Sequence, residues 1–253
     1  CNFKNEPGKG LFAVNGSYKV MDENFIDVRH IELLRQFLTK DVDTVVEFGA
    51  GWGKNITLLM MKTLRSDLRY VACEPSESGR EVCEKLFSFH NKIDFSSYPF
   101  DFCSPEFSMI KDSRHTLAFT CAAIEQVSIL SRMFFEKLLD SAEKLTLVFY
   151  EPIGWQRFKG LSRFAVKTYF NEFCNLIPSE KWIGQDPTFK LSDELFHENA
   201  VTWSAIHRYN FNLLNQISDL IDNSRMQLVR ADYDIFGSNP VHPMSLFILK
   251  KMG

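Results

Sequence analysis

One stretch of twelve residues, TVVEFGAGWGKN from Thr44 to Asn55, constrains the fold of this chain more than any other. Thr44, Val45 and Val46 are β-branched residues suited to a buried, pleated strand. Glu47 stands at the carboxyl end of that strand, and Gly49, Gly51 and Gly53 follow at alternate positions. Glycines placed this way let the chain take positive φ and let a ligand lie against bare backbone. A strand, a glycine bend and a helix start in so short a span make a nucleotide-sized cradle. The G-x-G-x-G spacing departs from the G-x-G-x-x-G of dinucleotide enzymes.

The surrounding segments alternate. Strands are expected at 44–48, 69–73, 92–98, 115–121 and 145–151, with helices at 54–65, 77–90, 105–112 and 129–143. Such alternation gives a parallel sheet joined by crossover helices. Ligands of these sheets bind beyond the carboxyl ends of the strands where the strand order reverses, so Glu47, Glu74, Asp101, Cys121 and Glu151 are expected to face one rim. Near the end, MQLVRADYDIF and PMSLFILKK read as two strands joined by GSNPVHP, a closing antiparallel pair.

With 253 residues, one domain spanning 1–253 accommodates the whole chain around a single core. Residues 1–40 are expected to form an N-terminal arm, mobile or substrate-covering, in which LFAV at Leu11–Val14 is either a short edge strand or a lid, followed by a helix in FIDVRHIELLRQFL. Residues 154–199 break the rhythm and are expected to cover the rim as an insertion. The formal charge of −3 gives no electrostatic footprint for duplex nucleic acid, and no apolar run is long enough to span a bilayer. Six cysteines lack C-x-x-C spacing, which argues against a zinc site or disulfide framework and favours reduced thiols in a cytoplasmic setting. No other metal-ligand constellation is expected. The chain begins at Cys1 rather than Met, which fits an excised domain, a processed protein or missing leader residues, and so part of a larger polypeptide or complex.

Glu47 two places before the glycine bend, Glu74 at the end of RYVACEPS and Asp101-Phe102 after KIDFSSYP follow one another in the order of class I S-adenosylmethionine (SAM)-dependent methyltransferases, and the chain resembles that family. The resemblance implies an α/β, Rossmann-like fold: a seven-stranded, mostly parallel sheet with a closing antiparallel hairpin and helices on both faces. It implies SAM as cofactor and S-adenosylhomocysteine as product. Gly49, Gly51 and Gly53 would pass beneath the methionine end, with Glu47 near its amino group. Glu74, beside Pro75, would bind the ribose diol, a role an acceptor-only carboxylate suits. Asp101 and Phe102 would meet the adenine, with Asp94 an alternative for the acid, and Cys121 would end the strand beside the methyl group. A fainter resemblance, carried by the EQ at Glu125, EPIG at Glu151, HRYN at His207 and the closing FGSNPVHPMSLFIL, is to methyltransferases of bacterial polysaccharide synthesis.

A hydroxyl acceptor needs a proton sink, for which a carboxylate or a histidine serves. Glu125 fits either that role or a helix cap, and Glu151 either substrate binding or anchoring of the insertion. His207 and His242, along with His197, are further candidate bases, each with a structural role as the alternative. Gln126, Arg208, Tyr209 and Trp155 are candidate substrate-binding residues, Arg208 for its fork of donors. Together these residues predict methyl transfer to a hydroxyl of a glycan or sugar-like acceptor. The alternatives are a small-metabolite O- or N-methyltransferase and a catalytically inactive methyltransferase-like binding domain.

Overall fold

The computed structural model describes residues 8–157, 200–201, 203–240 and 242–252. Its strands are β1 (Lys9–Val14), β2 (Ser17–Asp22), β3 (Thr44–Phe48), β4 (Arg69–Cys73), β5 (Asp94–Tyr98), β6 (His115–Cys121), β7 (Lys144–Glu151), β8 (Met226–Gly237) and β9 (Met244–Lys251). The helices are α1 (Arg29–Gln36), α2 (Lys54–Thr63), α3 (Glu77–Ser88), α4 (Arg132–Ser141) and α5 (Leu213–Asp222). Residues 200–201 and 203–207 are also helical.

All nine strands form one sheet in the order β2-β1-β8-β9-β7-β6-β3-β4-β5. From β5 to β7 the pairings are parallel, whereas β9 runs antiparallel to both β7 and β8. The fold is α/β with the expected closing antiparallel pair. Two strands come in addition to the seven expected. β1 and β2 form a hairpin whose Ala13 and Val14 pair with Gly237 and Phe236 of β8. Of the two readings of LFAV, edge strand or lid, the strand is the one formed, and over residues 9–22 the arm continues the sheet edge. Phe12 and Ala13 are buried there, a stronger tie than the polar sequence around them suggests.

Alternation along the strands divides the core. Val46, Phe48, Leu147 and Phe149 pack on one face with Phe134, Phe135 and Leu138 of α4 and Leu213 and Ile217 of α5. Val45, Tyr70, Leu117 and Val148 pack on the other with α1, α2 and α3 through Ile31, Ile56, Leu59 and Cys83. Each side chain goes to the face its position dictates, because successive residues of a strand point opposite ways. The helix expected at 105–112 is only a short 3-10 turn, Ser108–Ile110. Phe107, Met109 and Ile110 are all buried, and their spacing does not fit one face of an α-helix. α4 begins at Arg132 because the Ser131 side chain caps it by accepting from Met133 N at 3.2 Å.

The strand order reverses between β3 and β6, which lie side by side although β4 and β5 come between them in sequence. That switch point puts the glycine bend after β3 next to the turn after β6, which is where the expected site residues gather.

Candidate functional site at the sheet's carboxyl rim

The three glycines of the bend do different work. All have positive φ, at +73°, +56° and +84° for Gly49, Gly51 and Gly53. A Cβ on Gly49 would collide with Ala123 Cβ in the turn after β6, and one on Gly53 would collide with Cys83 Sγ of α3. At Gly51 an added Cβ would meet nothing within 4 Å, so this is the glycine that opens onto free space. Its N–H donates to Glu74 Oε2 at 2.9 Å, while Ser76 donates to Glu74 Oε1 through N at 3.1 Å and Oγ at 2.8 Å. Arg80 Nη1 holds the turn beneath by donating to the carbonyls of Glu74 and Pro75, each at 2.8 Å. Glu74 stays half-buried and Pro75 exposed.

Glu47 is fully buried on the α2 side of the sheet. Asn55 Nδ2 donates to its Oε1 at 2.8 Å and Ile56 N to its Oε2 at 3.0 Å, so the carboxyl serves the amino end of α2. Burial pushes it up to about 8. On the other face Glu151 is equally buried. Ala122 takes φ +51° after β6, and this turn aims three amides at the Glu151 carboxyl: Ala123 N at 3.1 Å, Ile124 N at 3.2 Å and Glu125 N at 3.2 Å. Burial raises its pKa despite those donors. Glu151 therefore anchors the turn after β6 and presents no surface to a substrate, which corrects its expected place among the catalytic candidates.

The other candidates of this half converge. Hydrogen bonds between the segments 125–130 and 204–212 draw them together. Asn210 N donates to Glu125 O at 2.9 Å, Asn210 Nδ2 to Val127 O at 2.7 Å and Ser128 Oγ to Arg208 O at 2.6 Å. Phe211 N donates to Ser128 O at 3.0 Å, and Leu130 N to Asn212 Oδ1 at 2.9 Å. The result is a row of rings, Trp203, His207, Tyr209 and His242, with successive centroids 4.3, 5.3 and 5.1 Å apart. At its end His242 Nδ1 lies 3.7 Å from Glu125 Oε2. Gln126 Nε2 donates to Glu125 Oε1 at 3.0 Å. The Glu125 side chain keeps 13% of its surface open. Burial pushes its carboxyl up to about 8, with the nearby Glu151 acting in the same direction. Burial, with the His207 charge second, pushes His242 down to about 3.

The remaining expected residues fall as follows. Asp101 is exposed and accepts from Cys103 N at 2.8 Å, and Asp94 is exposed at the start of β5 rather than at its carboxyl end. Phe102 is buried edge-on against Phe100, with centroids 5.2 Å apart, and Phe134 lies 5.6 Å away. Cys121 is partly exposed at the tip of β6, and burial raises its thiol well above its usual value. Arg208 is exposed and takes φ +55°. Trp155 is buried against Phe211, centroids 5.9 Å apart, so it belongs to the core and not to a substrate wall, contrary to expectation. His197 and most of the 154–199 insertion lie outside the described residues.

Sequence reasoning missed Ser204 on this side. On the other it missed His30, whose Nε2 lies 3.1 Å from Asn55 Oδ1 and whose ring stacks on Tyr150 at 4.7 Å. Asn210 was legible only as part of a polar cluster, and nothing in the sequence pairs Ser204 with a partner 38 residues away.

No family profile and no curated protein sequence matches the chain. Among solved structures it aligns with a SAM-dependent methyltransferase from Aquifex aeolicus at 11% identity, over 87% of this chain and 88% of that one, with a TM-score of 0.47. It aligns with the plantazolicin methyltransferase BpumL in complex with SAH at 11% identity, over 88% and 81%, with a TM-score of 0.47. A third is the mitomycin 7-O-methyltransferase MmcR, at 9% identity over 83% of this chain and 49% of that one, with a TM-score of 0.46. At these values the likeness carries no weight for function, which must come from the residues of this chain. Among the described residues no helix is long and apolar enough to cross a membrane.

Proposed function

We propose that this chain is a SAM-dependent methyltransferase that moves a methyl group onto a hydroxyl. The observation that carries this reading is the arrangement of the rim around the switch point. On the β3/β4 side, a bend open above Gly51 adjoins a half-open carboxylate, Glu74. On the β6/β7 side stands a partly open carboxyl, Glu125, among neutral hydrogen-bonding groups. The residues present fit the cofactor. Gly51 leaves room for it, Glu74 keeps one of its roughly four acceptor sites free for a ribose hydroxyl beyond its three present donors, and exposed Asp101 is available to the adenine amino group. Glu47 acts at one remove, by fixing the start of α2.

Bound SAM supplies an electrophilic methyl on a sulfonium, and transfer leaves a neutral thioether. The protein's part is positioning and proton removal. Glu125 would take the acceptor's hydroxyl proton, while bound SAM would supply the methyl group. Its raised pKa makes the carboxylate a stronger base than an ordinary glutamate and matches it to slightly alkaline pH. Gln126, Tyr209 and the exposed ring of His207 flank the acceptor. Polar groups beside ring faces suit a sugar-like or glycan-borne hydroxyl, and the formal charge of −3 disfavours a nucleic-acid acceptor.

Calorimetric titration with S-adenosylhomocysteine and with NAD, followed by transfer from methyl-labelled SAM into glycan and small-metabolite pools, tests this. Micromolar binding of the first, none of the second, and label in a hydroxyl are expected. Binding without transfer to any pool would make the chain a cofactor-binding domain, and no binding would end the proposal.

A further inference from the structure

Glu125 and His242 were both candidate bases, and the hydrogen atoms between them separate their roles. Ser204 lies in the helical stretch 203–207 and is fully buried. Its Oγ is 2.9 Å from His242 Nε2, and this ring nitrogen is the hydroxyl's one hydrogen-bond partner among the described residues. A buried hydroxyl proton must go to an acceptor, and Nε2 is the acceptor on offer. A nitrogen that accepts from Ser204 cannot also carry a proton in the neutral ring. The imidazole proton then sits on Nδ1, the nitrogen facing Glu125 Oε2 at 3.7 Å. The opposite tautomer would strand the Ser204 proton. It would gain nothing at Glu125, because 3.7 Å is too long for a carboxyl proton to bond Nδ1.

We propose that Ser204 is a positioning residue that locks His242 in the tautomer protonated on Nδ1, which removes His242 as a base and leaves its N–H dipole, 3.7 Å away and short of a hydrogen bond, on the side of the Glu125 carboxylate. This rests on the methyltransferase reading only for its consequence in the reaction, since the lock itself is a property of the free protein. His242 has no lone pair left to accept a substrate proton, because Nε2 is held by Ser204 and Nδ1 bears hydrogen. When Glu125 loses its proton, the Nδ1–H dipole already points at the new charge. The other groups facing Glu125 are Glu151 from β7, Cys121 from the tip of β6, Tyr209 and Gln126, with His207 behind Tyr209. Glu151 opposes the carboxylate and Gln126 supports it by a hydrogen bond, to which His242 adds only the longer-range pull of its N–H dipole.

The test is nitrogen NMR on the whole chain labelled with 15N-histidine, with His242 among the six histidines assigned by its loss in His242→Gln. The Glu125 titration is followed on the same chain through its side-chain carboxyl carbon. Wild type should show His242 protonated on Nδ1, against the preference of free histidine for Nε2. Ser204→Ala should move the proton to Nε2 or mix the tautomers and raise the Glu125 midpoint by about half a unit to one unit. Ser204→Thr, which keeps the hydroxyl, should restore both. In methyl transfer the acid limb of the pH–rate profile should move with that midpoint, with S-adenosylhomocysteine affinity unchanged within about twofold.

A wild-type His242 protonated on Nε2 overturns the proposal whether or not any variant folds, as does a Ser204→Ala chain whose Glu125 midpoint stays put. If both NMR signatures appear and no methyl is transferred, the tautomer lock stands and the proposed reaction falls.

Discussion

The two halves of the rim are built on the same plan and differ in one respect. In each, one glutamate is fully buried and holds backbone amides, Glu47 at the start of α2 and Glu151 in the turn after β6. In each, a second glutamate stands in front, Glu74 and Glu125. The front residues differ in their surroundings. Glu74 is half-open and receives three donors, from Gly51 and Ser76. Glu125 is mostly enclosed, receives Gln126, and lies near the charge of Glu151. A carboxylate well supplied with donors is suited to holding a ligand, and one deprived of them is suited to taking a proton. Under the proposed function, the contrast matches binding to one half and proton transfer to the other.

The largest effect should come from Glu125→Gln, expected to slow methyl transfer about 100- to 10,000-fold while leaving S-adenosylhomocysteine affinity within about twofold. Steady-state rates and calorimetry check this. A parallel loss of affinity would erase the division of labour. Next, Glu151→Ala leaves two buried amides and a part-buried one without their acceptor and should destabilise the fold by about 3 to 5 kcal/mol in urea unfolding. Glu47→Ala, with one amide and one side-chain donor orphaned, should cost less.

The raised carboxyls predict a pH dependence with a definite sign. Glu47 and Glu125, at about 8, and Glu151, also raised, bind protons more tightly folded than unfolded. Their contribution is fully present below about pH 4.5 and is lost as pH rises through their folded values. His242 works oppositely and only below its unfolded value of 6.5, where the folded state resists protonation down to about 3. Between pH 6.5 and 8 the carboxyls act alone, and stability should fall with rising pH by on the order of 3 kcal/mol, read as a falling Tm. A flat or rising Tm there would mean these carboxyls are not desolvated as described.

Glu74→Ala should weaken S-adenosylhomocysteine binding by about 1.5 to 3 kcal/mol, roughly 10- to 150-fold, with stability little changed. For stability Gly51→Ala should be the mildest change, about 1 kcal/mol of backbone strain, with its methyl entering the space proposed for the cofactor. Gly53→Ala, which drives a methyl into Cys83, should destabilise more.

Much of this plan was legible in the sequence because carboxylates at strand tips and glycines after a strand are local features. The parallel core and the closing antiparallel pair follow from them, whereas the meeting of Glu125 and Gln126 with His207, Tyr209 and His242 depends on contacts between segments some eighty or more residues apart and was not legible. Which glutamate of each half is buried was not legible, since that depends on packing between distant segments. Glu151 is enclosed because Ala122 turns the chain over it, and an alanine at positive φ has no sequence signature. Trp155 looked like a pocket wall until Phe211 closed on it from a segment some fifty residues on. At residues 9–22 the edge strand in LFAV was one of two readings, and its pairing was hidden because its partner, the edge of β8, lies more than two hundred residues away. The helix expected at 105–112 failed because burial of Phe107, Met109 and Ile110 outweighed local propensity.

The bare Cα of Gly49 touches the turn at Ala123 so closely that not even a methyl fits between the loops after β3 and β6. The gap between the two workshops of the rim is therefore set by hard contact, like the jaws of a gauge closed on a shim of zero thickness. Widening it would take a bulkier residue at either position, and a series of such variants would turn that spacing into an adjustable quantity.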